Sequence, residues 1–114
     1  MRKQLRLRRA KDFARLRQQG QTIRHPLMIL SLLPNDLPYN RYGIITSKRL
    51  GNAVKRNRTR RLIREAVRLL HDGLKQGYDV VIITRHESVG KPYKVIQEAV
   101  YQLFLRVNLV KENK

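Results

Sequence analysis

A chain of 114 residues, 41% of them hydrophobic, suits one modest core and is too apolar for a disordered basic tail. Its 26 Lys and Arg against 8 Asp and Glu leave a formal net charge of +18, a surplus that repels itself in the folded state unless a polyanion neutralises it. The absence of cysteine excludes disulfides and thiolate metal sites, and the longest apolar run, Leu27 to Leu33, is far short of the roughly 20 residues a membrane span needs. Nucleic acid is the usual partner for such a balance. No apolar stretch follows the basic N-terminus as a secretory signal would require, so a cytoplasmic protein without membrane association is expected.

In chain order, residues 1–10 carry five cations and little periodicity, which reads as a flexible or partner-ordered arm. Lys11 to Gln18 is a short helix with Phe13 and Leu16 near one face, stopped by Gly20. Leu27 to Leu33 is a strand, apolar enough to be buried on much of both faces. Pro34, Asn35, Asp36 and Pro38 make a turn, and Arg41 to Thr46 is a second strand that pairs with the first as a hairpin. Ser47 to Gly51 is a loop leading into a basic helix. Asp79 to Thr84 is a third strand, with Gly73 and Gly77 in the turn before it. A last helix runs from about Pro92 to Asn108, and its stripe of Val95, Ile96, Ala99, Val100, Leu103, Phe104 and Val107 is core packing. The order helix, strand, strand, helix, strand, helix predicts an α+β fold, a small α/β sandwich forming a single domain over 1–114.

The segment from Ser47 to Arg68 is dense in Lys and Arg, with Glu65 its only acid. At about 100° per residue, Leu62, Ile63, Ala66, Val67 and Leu70 share one side of a helix. Asn57, Arg60, Arg61, Arg64 and Arg68 fall on the opposite side, in an arc of roughly 100°. One face can therefore be buried while the other presents four guanidiniums, whose planar forks match phosphate oxygens. Asn52 and Asn57 are both plausible N-caps. The periodicity favours a start near Asn57, because an earlier start turns Lys55 toward the core. Gly51 with Asn52 suggests a tight turn that brings backbone amides to a ligand.

The acids Asp12, Asp36, Glu65, Asp72, Asp79, Glu87, Glu98 and Glu112 are scattered singly, whereas a metal-dependent nuclease gathers carboxylates. His71-Asp72 and His86-Glu87 are adjacent pairs whose side chains diverge. There is no glycine-rich phosphate loop. No catalytic residue, metal ligand or cofactor site is expected on the protein itself.

Lys48-Arg49, then Gly51-Asn52-Ala53-Val54, Arg56-Asn57-Arg58 and Arg60-Arg61-Leu62-Ile63-Arg64-Glu65, closely resemble the signature of the bacterial ribonuclease P protein family. Weaker likeness extends through Leu5-Arg6, Asp12-Phe13, Gly20, the Val80 to Thr84 strand and the last helix, covering most of the chain. The resemblance implies a subunit that binds a large catalytic RNA in a 1:1 complex and helps remove the 5′ leader of precursor tRNA. Magnesium held by the RNA, not by protein side chains, would carry the hydrolysis. It also implies a left-handed crossover around the basic helix, against the common rule. Carried over, Ser47, Lys48, Arg49, Asn52, Lys55, Arg56, Asn57, Arg58, Arg60, Arg61, Arg64 and Arg68 would face the RNA subunit. Phe13 matches an aromatic position in a leader cleft between the first helix and the sheet. Arg17 stands where relatives often carry a second Phe, and Met28 or Ser31 replaces a cleft aromatic, so charge would take over part of what stacking does. The competing expectation is a ribosomal or other structural RNA-binding protein, which composition alone fits equally well.

Overall fold

A computed structural model describes residues 3–112. A 3-10 turn, Lys3–Leu5, precedes α1 (Ala10–Gln19), β1 (Gln21–Arg24), β2 (Met28–Pro34) and β3 (Arg41–Ile45). A second 3-10 turn, Lys48–Leu50, leads into α2 (Ala53–Leu70), followed by β4 (Tyr78–Thr84) and α3 (Tyr93–Arg106). The sheet order is β1-β2-β4-β3. β2 is antiparallel to β1 and β4, while β3 runs parallel to β4.

Two expectations fail here. β2 and β3 do not form a hairpin, because β4 lies between them. The connection carries the chain across to the far side of β4, held by Asn35, whose side chain donates to the Tyr39 carbonyl and to Asp79. A parallel β3–β4 pair then requires a crossover, and α2 is that crossover. The unbroken run Val80-Val81-Ile82-Ile83 suits β4 because it has neighbours on both edges and helices on both faces. The second miss is β1. Its sequence, Gln-Thr-Ile-Arg, has one apolar residue, and it survives as a short, mostly exposed edge strand by pairing with β2.

The sheet separates two apolar clusters. On one face α2 and α3 pack Ile63, Ala66, Val67, Ile96, Val100, Leu103 and Phe104 against Met28, Leu30, Leu32, Val80 and Ile82. On the other, α1 closes a smaller cluster of Leu7, Leu16 and Val81 with Phe13, Leu33 and Ile83 at its margin. α1 is also fastened by charge. Asp79, fully buried at the start of β4, accepts from Arg41 at 2.8 and 2.7 Å, from Asn35 at 3.0 Å and from Arg15 at 3.4 Å.

The described part of the basic arm is docked, not loose. Leu7 is buried, its amide donates to the Tyr42 carbonyl at 2.7 Å, and Arg6 bridges to Tyr42 in parallel register. These contacts cover the open edge of β3. Residues 1–2 of the arm lie outside the described residues.

Candidate RNA-binding surface

The basic helix begins four residues before the expected start at Asn57. Asn52 is its N-cap, accepting the Lys55 amide at 3.0 Å. The periodicity misled because the first turn projects past the sheet. Val54 is 73% exposed and Lys55 stands in solvent, so neither needs a place in the core. Packing begins at Thr59, whose hydroxyl donates to the Lys55 carbonyl, and at Ile63. Ahead of the helix, Leu50 is buried and pins the loop, while Ser47, Lys48 and Arg49 are exposed beside it. Gly51, at φ 122°, makes the reversal into Asn52 that a side chain would strain.

The outer arc of α2 is cationic, but its members differ. Arg58 and Arg61 are exposed, as are Lys55 and Asn57, while Arg56, Arg60 and Arg64 are half-buried. Arg60 is fixed by donating to Asn57 Oδ1 at 3.1 Å and to the Thr46 hydroxyl, which ties the helix to the end of β3. Asn52 and Asn57 therefore have structural partners of their own: one caps the helix, the other aims Arg60. Arg64 lines a groove of about 420 Å³ with Arg6, Arg8, Arg60 and Phe13. Burial, and then the cations of Arg6 and Arg60, push its pKa below the ordinary guanidinium value. Arg68 differs again. It forms a two-bond pair with Glu65, which holds that carboxylate below its usual range.

Strand register places the cleft residues. On the sheet face that α1 covers, three rows cross the strands. Leu33, Asp79 and Arg41 form the first; Thr22, Ser31, Val81 and Gly43 the second; Arg24, Ile29, Ile83 and Ile45 the third. α1 meets the first row through Arg15 to Asp79 and Asp12 to Arg41. Phe13 lies over the second, so close to Gly43 that a Cβ there would sit 2.8 Å from the ring. The third row is left partly open, with Ile45 36% exposed and Ile29 and Ile83 half-buried. Arg17, exposed and four residues after Phe13, shares its side of α1.

Ser31 lies on this face, buried and hydrogen-bonded to the Thr22 hydroxyl at 2.8 Å. Met28 does not. It is fully buried in the opposite cluster beneath α2 and α3, because residues of even and odd number in β2 point to opposite faces. Met28 is therefore withdrawn from the cleft. Ile29, Ile45 and Ile83, absent from the sequence expectation, take the exposed floor. The alternation that would have revealed them is masked because β2 and β4 are apolar on both faces.

Among the described residues no cluster of three or more His, Cys, Asp or Glu could hold a metal, and no helix is long and apolar enough to cross a membrane.

A cationic helix whose only ion pair among the described residues is Arg68 with Glu65, beside a narrow, partly apolar strip, defines a small α+β protein whose surface suits RNA. Comparisons with known proteins make the class specific. The Ribonuclease P family profile matches residues 1–108. A ribonuclease P protein component from Herpetosiphon aurantiacus is 41% identical over 109 residues, covering 96% of this chain and 89% of that protein. One from Alkaliphilus oremlandii is 35% identical over 105 residues, 92% of each. Among solved structures, the Staphylococcus aureus RNase P protein superimposes with a TM-score of 0.87 at 25% identity, over 94% of this chain and 98% of that one. The Thermotoga maritima RNase P protein gives 0.82 at 26%, over 89% and 96%. The chain belongs to the ribonuclease P protein family and is a protein component of that endoribonuclease.

Proposed function

We propose that this subunit holds two RNAs at once. The exposed cations of the Ser47–Arg49 loop and of α2, namely Lys55, Arg58 and Arg61 with the half-buried Arg56, Arg60 and Arg64, dock on the ribonuclease P RNA by neutralising phosphates. The strip of Ile29, Ile83 and Ile45, walled by Phe13 and Arg17, takes the single-stranded 5′ leader of precursor tRNA. Phe13 supplies a stacking surface, the isoleucines an apolar floor, and Arg17 and Arg24 cations for the leader phosphates. Magnesium held by the RNA carries the hydrolysis, and the protein binds as one copy per RNA.

The observation that carries this reading is the continuity of the two surfaces. Arg60 fastens the basic helix to Thr46, one residue beyond Ile45 on the open strip. An RNA seated on α2 therefore lies beside a leader seated on the sheet.

The test incubates precursor tRNA with the protein, with a bacterial ribonuclease P RNA, and with both, at low magnesium. Cleavage is expected only with both, and the protein should lower the magnesium required. Cleavage by the protein alone, surviving removal of contaminating RNA, would falsify the assignment of chemistry to the RNA.

A further inference from the structure

A further groove lies apart from the leader strip and meets the outer arc of α2 only at Arg68. It encloses about 820 Å³ at the β3 edge, between the 3-10 turn Lys3–Leu5, the start of β3 and the C-terminal end of α2. Leu5, Tyr39, Tyr42, Arg68, His71 and Asp72 line it. That volume falls in the range of small-ligand sites.

The polar groups of this groove are set in place. Asn40, fully buried, donates from Nδ2 to the Tyr42 hydroxyl at 3.1 Å, and that hydroxyl lies 2.6 Å from His71 Nδ1. The hydroxyl and the imidazole share one hydrogen bond through Nδ1, and Nε2, the other polar atom of the His71 ring, has no partner among the described residues. The two rings meet edge to face at 5.5 Å, which fixes the imidazole orientation. On the rim, the Asp72 carboxylate is exposed and forms no ion pair among the described residues, in a chain where cations outnumber acids 26 to 8. Tyr39 offers a half-buried ring, and Arg68 is tethered by Glu65 at the edge nearest the basic face of α2.

A carboxylate acceptor, an imidazole, an aromatic plane and a guanidinium around one cavity fit a nucleotide. The carboxylate selects the base. It accepts two parallel N–H groups from the imino and amino edge of guanine, can take only one amino group from adenine or cytosine, and finds one imino group on uracil. We propose that this groove captures a single unpaired guanine of the RNA partner, stacked on Tyr39, paired through its imino and amino edge to Asp72, with a flanking phosphate on Arg68. The inference rests on the reading of the chain as an RNA-binding subunit. It adds a base-selective contact to a surface that otherwise reads only phosphate and apolar area.

The test is an NMR titration of the full chain with each of the four nucleoside monophosphates, and with short single-stranded RNAs that carry one guanine or none. Guanosine monophosphate should shift the signals of Tyr39, His71 and Asp72 saturably. It should bind about tenfold tighter than adenosine monophosphate, the worth of one bidentate pair. The guanine-bearing RNA should bind tighter than the free nucleotide, since its flanking phosphates reach Arg68. Asp72→Asn should bring guanine and adenine to parity, and Tyr39→Ala should weaken all bases alike. Four results would overturn the proposal: no saturable shift in the groove, shifts confined to α2, a guanine preference that survives Asp72→Asn, or free nucleotide binding as tightly as RNA. Because protein alone is titrated, its failure would leave the cleavage assay standing, and failure of that assay would leave the groove measurement readable.

Discussion

Arg64→Ala separates a recognition arginine from a structural one. In the free protein Arg64 lies half-buried beside Arg6 and Arg60, and no carboxylate partners it among the described residues. Its lowered pKa records burial first and then repulsion from those two cations. Removing it costs no ion pair and relieves that repulsion, so thermal stability should hold or rise slightly. On the RNA the same change deletes one phosphate contact. Each such contact contributes about 0.7 to 0.9 to the slope of log affinity against log salt. Over a tenfold range of salt, the ratio of wild-type to variant affinity should therefore shrink about five- to eightfold. Filter binding of the RNA subunit at a series of salt concentrations reads the slope, and a thermal melt reads stability. Arg68→Ala is the internal comparison. Already paired with Glu65, it should flatten the slope less. A melting temperature lowered by roughly 4 °C or more, the mark of about 1 kcal/mol, together with an unchanged slope would show that Arg64 supports the fold and not the RNA.

Three further outcomes are expected. Phe13→Ala should weaken binding of leader-bearing precursor by about 1–3 kcal/mol and leave mature tRNA nearly untouched, and equal losses in both titrations would remove Phe13 from the leader strip. Asp79→Ala should cost about 3–5 kcal/mol in urea unfolding, because it strands Arg41, Arg15 and Asn35 around a buried site, whereas a loss under about 1 kcal/mol would deny that this carboxylate fastens α1. Burial pushes the Tyr42 hydroxyl up to about 12 from 10.0, with the Asn40 hydrogen bond opposing. A raised pKa means the stabilising neutral form is fully present below pH 10 and is lost as pH climbs toward 12, a contribution of about 2–3 kcal/mol. Tyrosinate absorbance should show a late step that Tyr42→Phe abolishes, and a late step persisting in that variant would assign it elsewhere.

The sequence determined what is local and repetitive. The stripe of Ile96, Ala99, Val100, Leu103 and Phe104 announced α3, and cations opposite Ile63, Ala66 and Val67 announced a helix that buries one face and offers the other. Charge surplus pointed to a polyanion, and the residues from Lys48 to Glu65 pointed to the family, because such a pattern depends on neighbours along one element. Tertiary structure decided everything that depends on which strands are adjacent. The place of β4 between β2 and β3, the survival of β1, and the burial of Met28 beneath α2 while Ser31 lies under α1 all follow from pairing between distant segments. Strands apolar on both faces carry no alternation from which that pairing could be read. The start of α2 was misjudged for a related reason: periodicity assumes that every turn meets the core, and the first turn of this helix extends beyond it. The groove joining Tyr39 and Tyr42 to Arg68 and Asp72 lay out of reach for the same cause. Its residues come from the N-terminal 3-10 turn, the loop before β3, β3 itself, the end of α2 and the turn after it, and only the folded chain brings them around one groove.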